Sequence, residues 1–115
     1  MLQQDLEQFT GTKHWYKHPA GFTYTDGVKY LVDEAEAYWL LDAIASHQRE
    51  VMKTDAAEFQ IWELKVNSDK SCVLTCKGDG DWPERVHQTI EYTDFPLDYV
   101  KLWLTDNVLI LPSEY

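Results

Sequence analysis

Cations are scarce in this chain. Its 115 residues hold ten Lys plus Arg against twenty Asp plus Glu, a formal net charge of −10 at pH 7. A protein that grips nucleic-acid phosphates needs a surplus of cations to release counterions, so direct nucleic-acid binding is not expected. Long apolar runs are missing too. No stretch approaches the roughly 18 residues of a membrane span, and the opening MLQQDLEQF is acidic and polar, unlike a signal peptide. No membrane partner is expected, and the cytoplasm is the default compartment. Cysteine is limited to Cys72 and Cys76, in SCVLTCK. On a strand these lie about 13 Å apart, at roughly 3.3 Å per residue. That is too far for a disulfide or for one shared zinc ion. Buried thiols packing as small hydrophobes are the expectation.

Signatures of catalysis are also lacking. There is no Walker loop, nucleophile elbow or dinucleotide fingerprint. His14 and His18 have an H-x-x-x-H spacing, but Pro19 and Gly21 disfavour a helix there and no third ligand accompanies them. Asp79 and Asp81, in GDGD, resemble half of a calcium loop without its other oxygen ligands. Cys72 and Cys76 sit mid-strand on an apolar face, where nothing would lower a thiol pKa. No catalytic residue, metal or cofactor is therefore assigned.

What is present is an ordinary globular mixture, 44% hydrophobic and 26% charged. The length suits one domain, residues 1–115, without repeats or linkers. LQQDLEQF has helical spacing at Leu2, Leu6 and Phe9. Asp26-Gly27, between FTYT and VKYLV, predicts a type I′ hairpin with strands near 21–25 and 28–32. Asp33 with Glu36 predicts a capping box opening a central helix over about 34–53. Its buried stripe would run through Ala37, Leu41, Ile44, Gln48 and Met52, widened by Leu40 and Tyr38. The period then becomes two. Trp62, Leu64 and Val66 share a face, as do Cys72, Leu74 and Cys76, and then Val86, Ile90 and Tyr92. The tail YVKLWLTDNVLILP reads as a hairpin closing over Asp106-Asn107, with a short helix at 97–104 as the alternative. The fold class is α+β, an antiparallel sheet packed on one main helix, with its other face left for solvent or a partner.

Two surpluses bear on function. Sixteen aromatics, 14% of the chain, exceed what a small core needs. Trp39, Trp62 and Tyr92 are expected inside, and Trp15, Tyr16, Trp82 and Trp103 partly outside, where aromatics anchor interfaces. The acidic excess is spread evenly, ten acids to five bases in residues 1–60 and again in 61–115, so it is no acidic tail. It thickens after residue 78, where eight acids face only Arg85 and Lys101.

The segments FTGTKHWYKHP, YTDGVKYLVDEAEAYWLLDAIASHQ and YTDFPLDYVKLWLTDNVLILPSEY together resemble a family of small uncharacterised proteins found in phage, plasmid and other mobile-element genes, a domain of unknown function. The resemblance implies a gene context, and that context implies host-takeover or anti-defence work, such as inhibition of a CRISPR complex. The leading expectation is a non-enzymatic inhibitor that binds a basic protein or nucleoprotein complex of the host by imitating a polyanion. Its expected contact residues are Asp79, Asp81, Trp82, Glu84, Glu91, Asp94 and Asp98. The alternative is a nucleotide-signal sponge with Trp and His stacking walls, and the third reading is an enzyme with an unrecognised carboxylate or His site. Edge-to-edge pairing of the LWLTDNVLIL hairpin leaves a homodimer open.

Overall fold

Alternation of apolar and polar residues builds a seven-stranded sheet in this chain. The computed structural model describes residues 2–54, 56–78 and 84–115. In chain order the elements are α1 (Leu2–Glu7), β1 (Trp15–Lys17), β2 (Thr23–Thr25), α2 (Asp26–Glu34), α3 (Tyr38–Val51), β3 (Phe59–Val66), β4 (Cys72–Gly78), β5 (Val86–Ile90), β6 (Tyr99–Thr105) and β7 (Val108–Ile110), then a 3-10 turn (Pro112–Glu114). The strands lie in the order β1-β2-β7-β6-β3-β4-β5. All pairs are antiparallel except β2 with β7. The fold is α+β, and the single parallel pair makes the sheet mixed. The long strands β3, β4 and β6 form its centre.

The core lies on one face of that sheet. Gln60, Trp62 and Leu64 of β3, Cys72, Leu74 and Cys76 of β4, and Val100, Leu102 and Leu104 of β6 are all buried. Against them pack Val28, Leu31 and Val32 of α2 and Leu40, Leu41, Ile44 and Val51 of α3, at helical spacing. An amide network crosses this layer. Gln48 and Gln60 exchange hydrogen bonds of 2.8 and 2.9 Å, and Trp62 Nε1 donates to Gln60 Oε1 at 2.9 Å. Burial without such partners would cost about 1–3 kcal/mol per group. The closing hairpin turns at Asp106-Asn107, whose φ values of 50° and 64° suit a two-residue turn.

The N-terminal third departs from expectation. Asp26-Gly27 is no hairpin turn; it opens α2, and the hairpin of this region is β1–β2, around Gly21 with φ 112°. Thr25 Oγ1 accepts from Val28 N at 3.4 Å as N-cap, and Asp26 suits the positive end of the helix. A carboxylate from the far end of the chain completes the cap. Glu114 accepts from Thr25 Oγ1 at 2.5 Å, from Gly27 N at 3.2 Å and from Leu111 N at 2.9 Å. Residues 28–32 are therefore helical rather than a strand.

Asp33 lies in the last turn of α2 and caps nothing; its carboxylate takes Lys29 Nζ at 2.6 Å. The helix expected over 34–53 is α3, which begins only at Tyr38; Glu36, with φ 51°, separates it from α2, which takes the place of the expected second strand. The inward stripe of α3 leaves out Met52 and Tyr38, which are exposed.

Candidate functional site

The first seven residues of α3 and the chain leaving β5 enclose a groove of about 590 Å³. Trp39 and Ala43 stand one helical turn apart and form one wall with Asp42; Gln88, Ile90, Tyr92, Thr93 and Asp94 form the other. The groove exists because β5 is short and ends the sheet, so α3 overhangs a strand with no further neighbour among the described residues.

Local bonds hold its walls. Thr93 N donates to Lys70 O at 2.8 Å, and Phe95 N donates to Thr93 Oγ1 at 3.1 Å. Those bonds seat Phe95, which is buried, edge-on against Trp39 at 6.4 Å between centroids. His47 Nε2 and Gln88 Oε1, 2.7 Å apart, tie α3 to β5. With Thr93 and Phe95 turned inward, Tyr92 is driven outward. It is 71% exposed, which corrects the expectation of an inward Tyr92: the period-2 alternation stops at Ile90, where β5 ends.

The chemistry of the groove is acidic and aromatic. Asp42 and Asp94 line it with the rings of Trp39 and Tyr92, and no Lys or Arg lines it among the described residues. Asp42 Oδ1 meets His18 Nε2 at 2.9 Å, while the carboxylate stays 75% exposed. Glu91 and Asp94 are exposed, and neither forms an ion pair with another described residue. The site therefore presents negative charge and flat apolar surface together.

Of the residues expected from sequence, Asp79, Asp81 and Trp82 lie outside the described residues. Glu84 is exposed at the entry to β5, 3.0 Å from His87 Nδ1. Glu91 and Asp94 lie at the opposite end of that strand, roughly 20 Å along an extended run from Glu84. Asp98, also exposed, precedes β6, and its carbonyl accepts from Val66 N at 2.8 Å. Of these acids the structure places Asp94 in the groove lining; Glu91 sits between the lining residues Ile90 and Tyr92 without lining it, and Glu84 is set apart. Sequence reasoning missed Asp42 and the placing of Trp39 and Tyr92 on one groove. The signal for the helical side was the i, i+4 relation of Trp39 and Ala43, with Asp42 on the flank.

A second cluster surrounds Lys29. Its Nζ bonds Asp33 and the Tyr38 hydroxyl, which in turn donates to Asp33, and it lies 5.6 and 5.9 Å from the ring centroids of Tyr16 and Tyr38. The Lys29 ammonium, hydrogen-bonded to Asp33, has its pKa raised and stays charged. These contacts tie β1, α2 and α3 together. His14 and His18 diverge, His14 Nδ1 standing 3.5 Å from Asp26 and His18 beside Asp42. No group of three His, Cys, Asp or Glu that could hold a metal ion occurs among the described residues. No helix there is long and apolar enough to cross a membrane.

The whole chain, residues 1–115, matches the model of a family of unknown function, DUF6876. The chain belongs to that family. No curated protein and no solved structure matches this member of DUF6876. The family supplies no activity, so the chemistry of the groove in this DUF6876 protein has to be read from its own residues.

Proposed function

We propose that this protein is a non-enzymatic binding protein that holds a cationic segment of a partner in the groove between α3 and residues 91–94. The observation that carries the proposal is the lining: the carboxylates of Asp42 and Asp94 with the rings of Trp39 and Tyr92, and no cationic side chain among the described residues. An entering Arg or Lys meets opposite charge on both walls. Exposed ion pairs contribute about 0.2–1 kcal/mol each, and a cation over an exposed ring about 0.5–1 kcal/mol. Two pairs and one ring contact favour a cationic over a neutral segment by roughly tenfold or more. A nucleotide fits less well, because its phosphates would face the same carboxylates. In the mobile-element setting that the sequence resemblance implies, the partner is a host nucleic-acid-handling or defence complex in the cytoplasm. The carboxylates then take the place of phosphates as partners for that complex's basic side chains.

Fluorescence anisotropy with a labelled nona-arginine peptide tests this. The double substitution Asp42→Asn/Asp94→Asn is expected to weaken binding about tenfold, and the affinity to fall as salt rises. Neutralising two remote exposed acids, Glu58→Gln/Asp106→Asn, is expected to change it less than about twofold. Equal losses from the two double variants would mean that overall charge rather than the groove attracts the peptide, and would overturn the proposal.

A further inference from the structure

The edge of β6 is only half covered. β7 pairs with Trp103, Leu104 and Thr105 and stops, although β6 continues back to Tyr99. The next bonding position of β7 would set Pro112 against Lys101, since Ile110 faces Trp103. Proline has no N–H to donate and begins the 3-10 turn, which carries the chain away towards the start of α2.

The orientation of the remaining backbone groups follows from the ladder. Val66 N donates to Asp98 O, and Leu64 and Trp62 face Val100 and Leu102, so the even-numbered residues of β6 bond β3. Tyr99 and Lys101 therefore direct their N–H and C=O groups the other way. Among the described residues nothing bonds these four groups. They border a cavity of about 240 Å³ walled by Leu6 and Glu7 of α1, Val100, and Leu111 and Pro112. That wall is fixed: Leu6 is buried, Tyr30 Oη donates to Asp5 at 3.0 Å, and Phe9 lies 5.3 Å from Tyr30.

We infer that this notch is a strand-addition site, taking an extended segment of a partner polypeptide alongside Tyr99–Lys101 with one apolar side chain in the cavity. Unpaired strand groups specify an extended backbone, and a mainly apolar cavity beside them specifies the side chain. Only Tyr99 and Lys101 are open, since β7 covers β6 from Trp103 on, so the site matches a short extended segment rather than a long sheet edge. This site is separate from the acidic groove and stands whether or not that groove binds a cation.

The test uses the whole protein and peptides selected on it from a random twelve-residue display library. Hydrogen exchange followed by NMR is expected to show fast exchange at Tyr99 and Lys101 N–H beside slow Val100 and Leu102. A bound peptide slows the first two by about tenfold or more. N-methylation of the peptide on its bonding edge is expected to weaken binding about tenfold, and methylation of the alternate amides less than about twofold. Failure of any peptide to be enriched, enriched peptides that leave Tyr99 and Lys101 unprotected, or equal effects of both methylation patterns would overturn the inference.

Discussion

Replacing Gly27 by Ala sets helix propensity against packing. Ala gains up to about 1 kcal/mol over Gly inside a helix, so on propensity alone Gly27→Ala would stabilise α2. The surroundings oppose it. A Cβ at position 27 would stand 2.6 Å from Leu111 Cδ1 and 2.7 Å from Glu114 Oε1. Leu111 is buried and Glu114 is held by three hydrogen bonds, so neither yields freely. Overpacking costs about 1–3 kcal/mol, and hydrogen bonds to a charged group are each worth about 1.5–3 kcal/mol. With two of the three bonds strained, the net expectation is a loss of about 1–3 kcal/mol, a fall in Tm of roughly 5–10 °C. Calorimetry and urea titration measure it. Gly11→Ala, whose Cβ would meet nothing within 4 Å, is the control and is expected to shift stability by less than about 0.5 kcal/mol. Glu114→Ala should destabilise the parent by about 2 kcal/mol and the Gly27→Ala background by less, a coupling of about 1 kcal/mol. An equally stable or more stable Gly27→Ala protein would refute the close approach of the Leu111–Glu114 segment to α2.

Three further outcomes follow from the core and the charges. Gln60→Leu leaves Gln48 and Trp62 Nε1 without their partner beneath α3, and urea unfolding should show a loss of about 2–3 kcal/mol; Gln48→Leu/Gln60→Leu should lose less than the sum of the single changes. Burial pushes the Cys76 thiol up to about 12 and raises that of Cys72, so Ellman's reagent at pH 8 should find no thiol in the folded protein and two per chain in guanidinium. The Asp33 carboxyl is held below its usual range, first by Lys29 and then by Tyr38, and that of Asp26 first by the Lys13 N–H. Below about pH 4 the unfolded chain binds these protons first, so stability is complete above that pH and falls as acid passes the lowered values. Asp33→Asn should flatten this acid limb in thermal melts at pH 2–6, and an unchanged slope would sink the assignment.

The central strands were legible because their information is local. IWELKV and SCVLTCK alternate so regularly that one face must be buried, and Asp106-Asn107 supplies the positive φ that a tight hairpin needs. Asp26-Gly27 misled because the same pair serves a hairpin turn and the first turn of a helix. The choice is reinforced by Glu114, 87 residues further along than Gly27, and no window around position 26 contains it. Val28, Leu31 and Val32 do carry a helical spacing, which the strong turn pair beside them obscures. The groove was half visible. The acids at 91 and 94 stood out by type, whereas Asp42 was one carboxylate on a helix until α3 was laid beside β5.

Both candidate surfaces have one geometric origin. β3, β4 and β6 run seven or eight residues, while β5 has five and β7 three. A sheet with neighbours of unequal length leaves side-chain wells beneath an overhanging helix and bare backbone along a longer strand. Natural sheets blunt such edges with charge, proline or cover, because an open edge invites the wrong partner. At the β5 end this chain places the carboxylates of Asp42 and Asp94 in the well beside the open edge. At the β6 edge Pro112 follows the end of β7, and Leu6 and Leu111 wall the recess; being apolar, they leave the four backbone groups without a hydrogen-bond partner among the described residues. Protection alone would need only a longer β7, for Leu111 already follows Ile110 and a residue with an N–H at position 112 would let the ladder reach Lys101. Instead residue 112 lacks the donor, and the chain is redirected to cap α2 through Glu114. The bond that stabilises the helix and the gap that exposes the strand are thus two consequences of one turn.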